Sequence, residues 1–88
     1  MLRINFSKIE AEHLILANQR GIEATYCPSE IARKMFPENW REQMHNVRLS
    51  TDNLVKKEML VTLQKGKLIE ELPSEAKGPI RLRINNTK

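Results

Sequence analysis

Apolar residues recur along this chain with two periods, and the change from one to the other divides it. In the first part, Ile9, His13 and Leu16 share one helical face, while Leu14 and Ile15 widen the apolar surface beyond a narrow stripe. Ser7 and Glu10 stand at capping-box spacing, which predicts a helix over 8–18 closed at Arg20-Gly21. A helix this apolar needs cover on more than one side. Ala24-Thr25-Tyr26-Cys27 is rich in strand formers and predicts a brief strand. Pro28 suits the first position of a second helix, with Cys27 as N-cap and Glu30 at the positive helix end. Ile31, Ala32, Met35 and Phe36 form its inner side, and Pro37 stops it. Asn39, with Glu42 three residues on, is then the predicted cap of a third helix over 40–58. Its inner stripe is Trp40, Met44, Val47, Thr51 and Leu54, and Lys56 and Lys57 occupy its last turn. The connection between helices two and three is about three residues, the length of a helix-turn-helix.

Beyond Glu58 the period shortens to two. Residues 60–64, LVTLQ, predict a strand followed by the turn Lys65-Gly66-Lys67. Ile80, Leu82 and Ile84 alternate with Arg81 and Arg83, which predicts a half-buried strand over 79–84. Residues 68–78 read as a further strand segment or an ordered loop. The element order predicts an α+β, mainly α fold: a winged helix-turn-helix of three helices plus a small three-stranded antiparallel sheet.

At 88 residues the chain fits a single domain, 1–88, with an N-terminal arm over 1–6 and a flexible tail over 85–88. A domain of this size buries less than about 70% of its unfolded surface, so its core is modest. With 40% hydrophobic and 30% charged residues it is expected to fold rather than stay disordered. Cys27 is the one cysteine, so no intrachain disulfide can form, which favours a reducing compartment. MLRINFSKIE lacks a signal-peptide run and no segment reaches transmembrane length; a cytoplasmic protein with no membrane contact is expected. The net charge of +4 is uneven: residues 1–39 sum to zero, and the excess lies in the C-terminal half. That points to an anionic partner there.

The pieces CPSEIAR, NWREQMHNVR, VTLQKGK and KGPIRLR, in that order, resemble a family of short bacterial proteins of unknown function to which a winged-helix fold is assigned. The resemblance covers roughly residues 9–84 and implies the fold rather than an activity. Members of that family often carry glycine where the long helix turns into the next strand, whereas this chain has Glu58-Met59.

Candidate chemistry is sparse. The second helix of a helix-turn-helix enters the major groove, which makes 40–58 the expected recognition helix. Arg41, His45, Arg48 and Lys56 are its candidate DNA contacts, though Glu42 and Asp52 on the same face would oppose phosphates. Lys65 and Lys67 at the wing, and Ser29 and Arg33 at the second helix, are candidate phosphate contacts, though Glu70, Glu71 and Glu75 in the loop that follows stand against the wing contacts. Arg81 and Arg83 read more readily as a solvated strand face. Leu49, apolar on the outer helix face, is the candidate protein interface. Cys27, His13 and His45 lack metal-ligand spacing, and no nucleophile–base pair or Gly-rich phosphate loop occurs, so no metal, cofactor or enzymatic activity is expected. His13 is expected to be a partly buried, hydrogen-bonded histidine. Trp40 reads as a packing anchor of the turn. The leading expectation is a DNA-binding domain, such as a transcriptional regulator, acting as a dimer because one such domain offers a small interface. The alternative is a protein-interaction module on the same scaffold without nucleic-acid binding.

Overall fold

The computed structural model describes residues 5–85. Three helices, α1 (Phe6–Arg20), α2 (Pro28–Met35) and α3 (Met44–Lys56), precede three strands, β1 (Leu60–Gln64), β2 (Lys67–Leu68) and β3 (Arg81–Ile84). The strands form one antiparallel sheet in the order β2-β1-β3. This is the expected α+β, winged-helix-like arrangement, with residues 65–80 as the wing.

The first helix starts earlier than its capping box predicts. Asn5, not Ser7, is the N-cap: its Oδ1 accepts the Lys8 amide at 3.1 Å. Asn and Ser cap comparably well, and capping at Asn5 adds half a turn to the helix. Phe6 therefore belongs to α1 rather than to an arm. The rest of the expected arm, residues 1–4, lies outside the described residues, as do 86–88 of the expected tail. Asn85 is tied down, its amide donating to Met59 O and its side chain to Glu58 O. Gly21 closes α1 at φ 78°, a conformation costly for any residue with a Cβ.

Helix α2 follows its local signals. Cys27 is the N-cap, Pro28 opens the helix, and Glu30 Oε2 accepts the Cys27 amide at 3.1 Å. The expected strand at 24–27 shrinks to one bridge, in which Tyr26 and Leu82 exchange two backbone hydrogen bonds of 2.8 Å.

Between α2 and α3 the expected helix start needs its largest correction. Asn39 does not cap an α-helix, and residues 37–43 form turns. Amides of Asn39, Glu42, Gln43 and Met44 bond to carbonyls three residues back, a tighter winding than the α-helix. The α-helical pattern begins only where the Val47 amide reaches Gln43 O. The winding seats Trp40 against the core and brings its ring under Arg33, whose Cζ lies 4.2 Å from the ring centroid. The connection is thus longer than three residues, and Arg41 stands on it rather than on α3.

The far end of α3 also differs. The helix ends at Lys56 rather than near residue 58, and Glu58 takes φ 63°. This is the left-handed residue that commonly terminates a helix. It falls where the resemblance leads one to expect glycine.

Strand β1 turns into β2 through Lys65 (φ 52°) and Gly66 (φ 80°), a two-residue hairpin with both central residues left-handed. Lys67 already belongs to β2. The strand expected over 79–84 begins at Arg81, but the alternation holds: Ile80 and Leu82 are buried, while Arg81 and Arg83 are more exposed. The core joins Ile9, Ala17, Tyr26, Ile31, Ala32, Val47, Leu54, Leu60 and Leu82, so every helix contributes to it. Burying each of its larger aliphatic side chains is worth about 1.5–3 kcal/mol.

At its centre lies His13, fully buried rather than partly so. Its Nε2 is 3.2 Å from Val47 O and its Nδ1 2.8 Å from the Tyr26 hydroxyl. A carbonyl only accepts, so Nε2 carries the proton and Nδ1 accepts from Tyr26. This pair fastens α1 to α3 and to the bridge residue of the sheet.

Candidate nucleic-acid interface

The wing is fixed to the body by side chains distant in sequence. Arg48, on α3, donates from Nη1 to Ala76 O at 3.0 Å and from Nη2 to Gly78 O at 2.7 Å. One turn further on, Asp52 accepts from the Ser74 amide at 3.1 Å and the Ser74 hydroxyl at 2.6 Å. From the sheet side, Gln64 Nε2 donates to Lys77 O at 2.6 Å. The strip 76–79 is therefore tied to α3 on one flank and to β1 on the other. The stretch whose structure the sequence left open is an ordered loop with a turn in which the Glu75 and Ala76 amides bond to Leu72 O.

This strip and the β1–β2 hairpin enclose an open groove of about 920 Å³. Leu68, Ile69 and Pro79 give it an apolar lining, and Lys65, Lys67, Lys77 and Arg81 give it four cations. None of its described lining residues is acidic. Glu70 lines the adjoining cleft, which holds Val55, Glu58 and Leu60 and shares Leu68 and Ile69 with the groove. Arg81 is oriented by Thr25, with Nε 2.8 Å from the hydroxyl and Nη2 3.1 Å from the carbonyl. The three lysines are exposed.

The residues expected to contact DNA fall into separate groups. Lys65 and Lys67 meet in the wing groove, joined by Lys77 and Arg81. Lys77 went unrecognised because it lies in the stretch that local signals left unresolved. Arg33 and Arg41 come together on the Trp40 ring, 4.2 and 5.0 Å from its centroid. Trp40 is the packing anchor its position suggested. His45, Leu49, Asn53 and Lys56 form the exposed stripe of α3. Arg48 lies beside that stripe with its guanidinium on the two wing carbonyls. Asp52, read as part of the outer face, is buried against Ser74. Ser29 is half-buried and donates to Cys27 Sγ at 3.1 Å. Leu49, 40% exposed, lines a shallow cleft with Phe6, Glu10, Asn53 and Lys56.

Electrostatics around α2 are local. Burial pushes the Glu30 carboxyl upward, but hydrogen bonds from Arg20 and the Cys27 amide, with the charges of Arg20 and Arg81, outweigh it and hold the group below its ordinary value. Burial lowers His13 to about 4 despite its bond to Val47. Burial, reinforced by the charge of Glu30, raises the Tyr26 phenol above its ordinary range. Among the described residues no three His, Cys, Asp or Glu side chains gather as a metal site, and no helix is long and apolar enough to cross a membrane.

Three helices, a three-stranded antiparallel sheet and a braced wing define a winged-helix-like domain whose distinguishing surface is a cationic groove. Residues 7–85 match the family described as "Protein of unknown function (DUF3253)", and the chain belongs to that family. The match spans the resemblance drawn from the four sequence pieces. No curated protein matches the chain.

Proposed function

We propose that this domain binds duplex DNA. The observation that carries the reading is the wing groove: the exposed Lys65, Lys67 and Lys77 gather there, with Arg81 held on Thr25 at its edge, no carboxylate lines it among the described residues, and its wall is fastened to α3 and β1. Phosphate oxygens are suitable partners for lysine and arginine so placed. In this reading the domain acts in the cytoplasm, where Cys27 stays reduced, and no catalysis is assigned to it. The test is a fluorescence titration of a labelled mixed-sequence duplex at low and moderate salt. Micromolar binding that weakens with salt is expected. Absence of binding at low salt would sink the proposal.

A second reading rests on Phe6 and Leu49, which are 37% and 40% exposed and share one cleft. Under it the scaffold docks a protein, or a second copy of itself, through that apolar pair. Association would then be insensitive to salt and lost on Leu49→Asp.

A further inference from the structure

The side chains of α3 and of the wing divide the work of binding unequally. Reading a base edge takes long polar side chains free to form paired hydrogen bonds, above all arginine and asparagine near the start of the helix. Arg48 has two of its nitrogens on wing carbonyls. Asn46 is half-buried and donates to Gln43 Oε1 at 3.1 Å. Arg41 lies on the preceding turn, against Trp40. What α3 leaves exposed is His45, Leu49, Asn53 and Lys56, with an apolar residue in the middle. The groove, by contrast, presents Lys65, Lys67 and Lys77, and none of the three has an ion-pair partner among the described residues. A lysine is a point charge on a flexible stem, suited to following phosphates rather than to discriminating bases.

We infer that the wing groove is the principal contact, that its ligand is the sugar–phosphate backbone, and that the domain binds duplexes without regard to base sequence. Arg48 is then a positioning residue that holds the groove wall, not a base reader. This rests on the DNA-binding reading and departs from the usual division of labour in a helix-turn-helix, where the helix specifies and the flanking contacts position.

The inference sets the salt dependence. Each neutralised phosphate contributes about 0.9 to the slope of log K against log salt, so the three exposed groove lysines give a slope of about −2.5 to −3. Removing the three exposed lysines lowers its magnitude by about 2.5–3.

The deciding experiment combines titrations of several unrelated duplexes with selection from a random-sequence pool. Wild type is compared with Lys65→Ala/Lys67→Ala/Lys77→Ala and with His45→Ala/Asn53→Ala, each checked for native melting. All these side chains are exposed, so both variants are expected to fold. The expected result is affinities within about threefold across duplexes and no enriched motif. Loss of the groove lysines should weaken binding by more than about tenfold at low salt and flatten the slope, because their counterion release is gone. The α3 variant should bind within about twofold of wild type. A selected motif preferred more than about tenfold and lost in the α3 variant would overturn the inference while leaving DNA binding intact. Failure of every duplex to bind at low salt would overturn both.

Discussion

The buried His13 makes a quantitative prediction about acid. In the folded chain it is neutral, since protonation would charge a buried ring and turn Nδ1 into a donor, leaving the Tyr26 O–H without its acceptor. Its pKa is lowered from 6.5 to about 4 by burial, partly offset by the bond to Val47. The unfolded chain therefore binds a proton before the folded one does. Stability from this group is fully present above the unfolded value of 6.5 and falls as pH drops toward 4. Below that it falls no further, because both states are protonated. Unfolding gains about 1.4 kcal/mol for every pH step over which only the unfolded chain holds the proton, so His13 alone should remove about 2–3 kcal/mol between about pH 7 and pH 4.5. The perturbation is His13→Gln, whose amide can donate to Val47 O and accept from Tyr26 without titrating. The assay is urea unfolding of both proteins across that range. With a slope near 1 kcal/mol per molar, typical of small domains, the wild-type midpoint should drop about 2–3 M further than the variant's. Glu30, held below its ordinary value, adds its own loss at the acid end but does so in both proteins. Parallel pH dependence in the two, or an NMR titration of His13 with a midpoint near 6.5, would refute the reasoning.

Two further substitutions test the fold. Glu58 takes a left-handed conformation that costs a side-chain-bearing residue about 1–2 kcal/mol. After allowing for the greater freedom glycine loses on folding, Glu58→Gly should stabilise by about 0.5–1 kcal/mol and raise the melting temperature by a few degrees, read by thermal unfolding. Thr62 Oγ1, in β1, is buried with no hydrogen-bond partner among the described residues. Thr62→Val keeps the shape and removes that unpaired hydroxyl, so it should stabilise by about 1 kcal/mol, whereas an unchanged or lower urea midpoint would mean the hydroxyl is satisfied in solution.

What the sequence determined by itself is what neighbouring residues decide among themselves. The start of α2 was legible because Cys27, Pro28 and Glu30 act within one turn of chain. The last strand was legible because alternation at Ile80, Leu82 and Ile84 leaves only one face to bury. Local signals misled where two choices were nearly equal in energy, as between Asn5 and Ser7. They misled again at Asn39, which does not cap an α-helix: residues 39–43 wind more tightly, and that winding seats Trp40 under Arg33. Tertiary structure alone decided the candidate site. Arg48 reaches carbonyls 28 and 30 residues away, and Asp52 reaches a serine 22 residues away. Those ties turn two side chains of an apparent reading face into braces for the wing. Lys77 enters the groove only because the loop before β3 folds back onto β1 and α3. A hydrogen bond between groups distant in sequence leaves no periodic trace in either segment, so the placement of charge on this domain became visible only once the chain was folded.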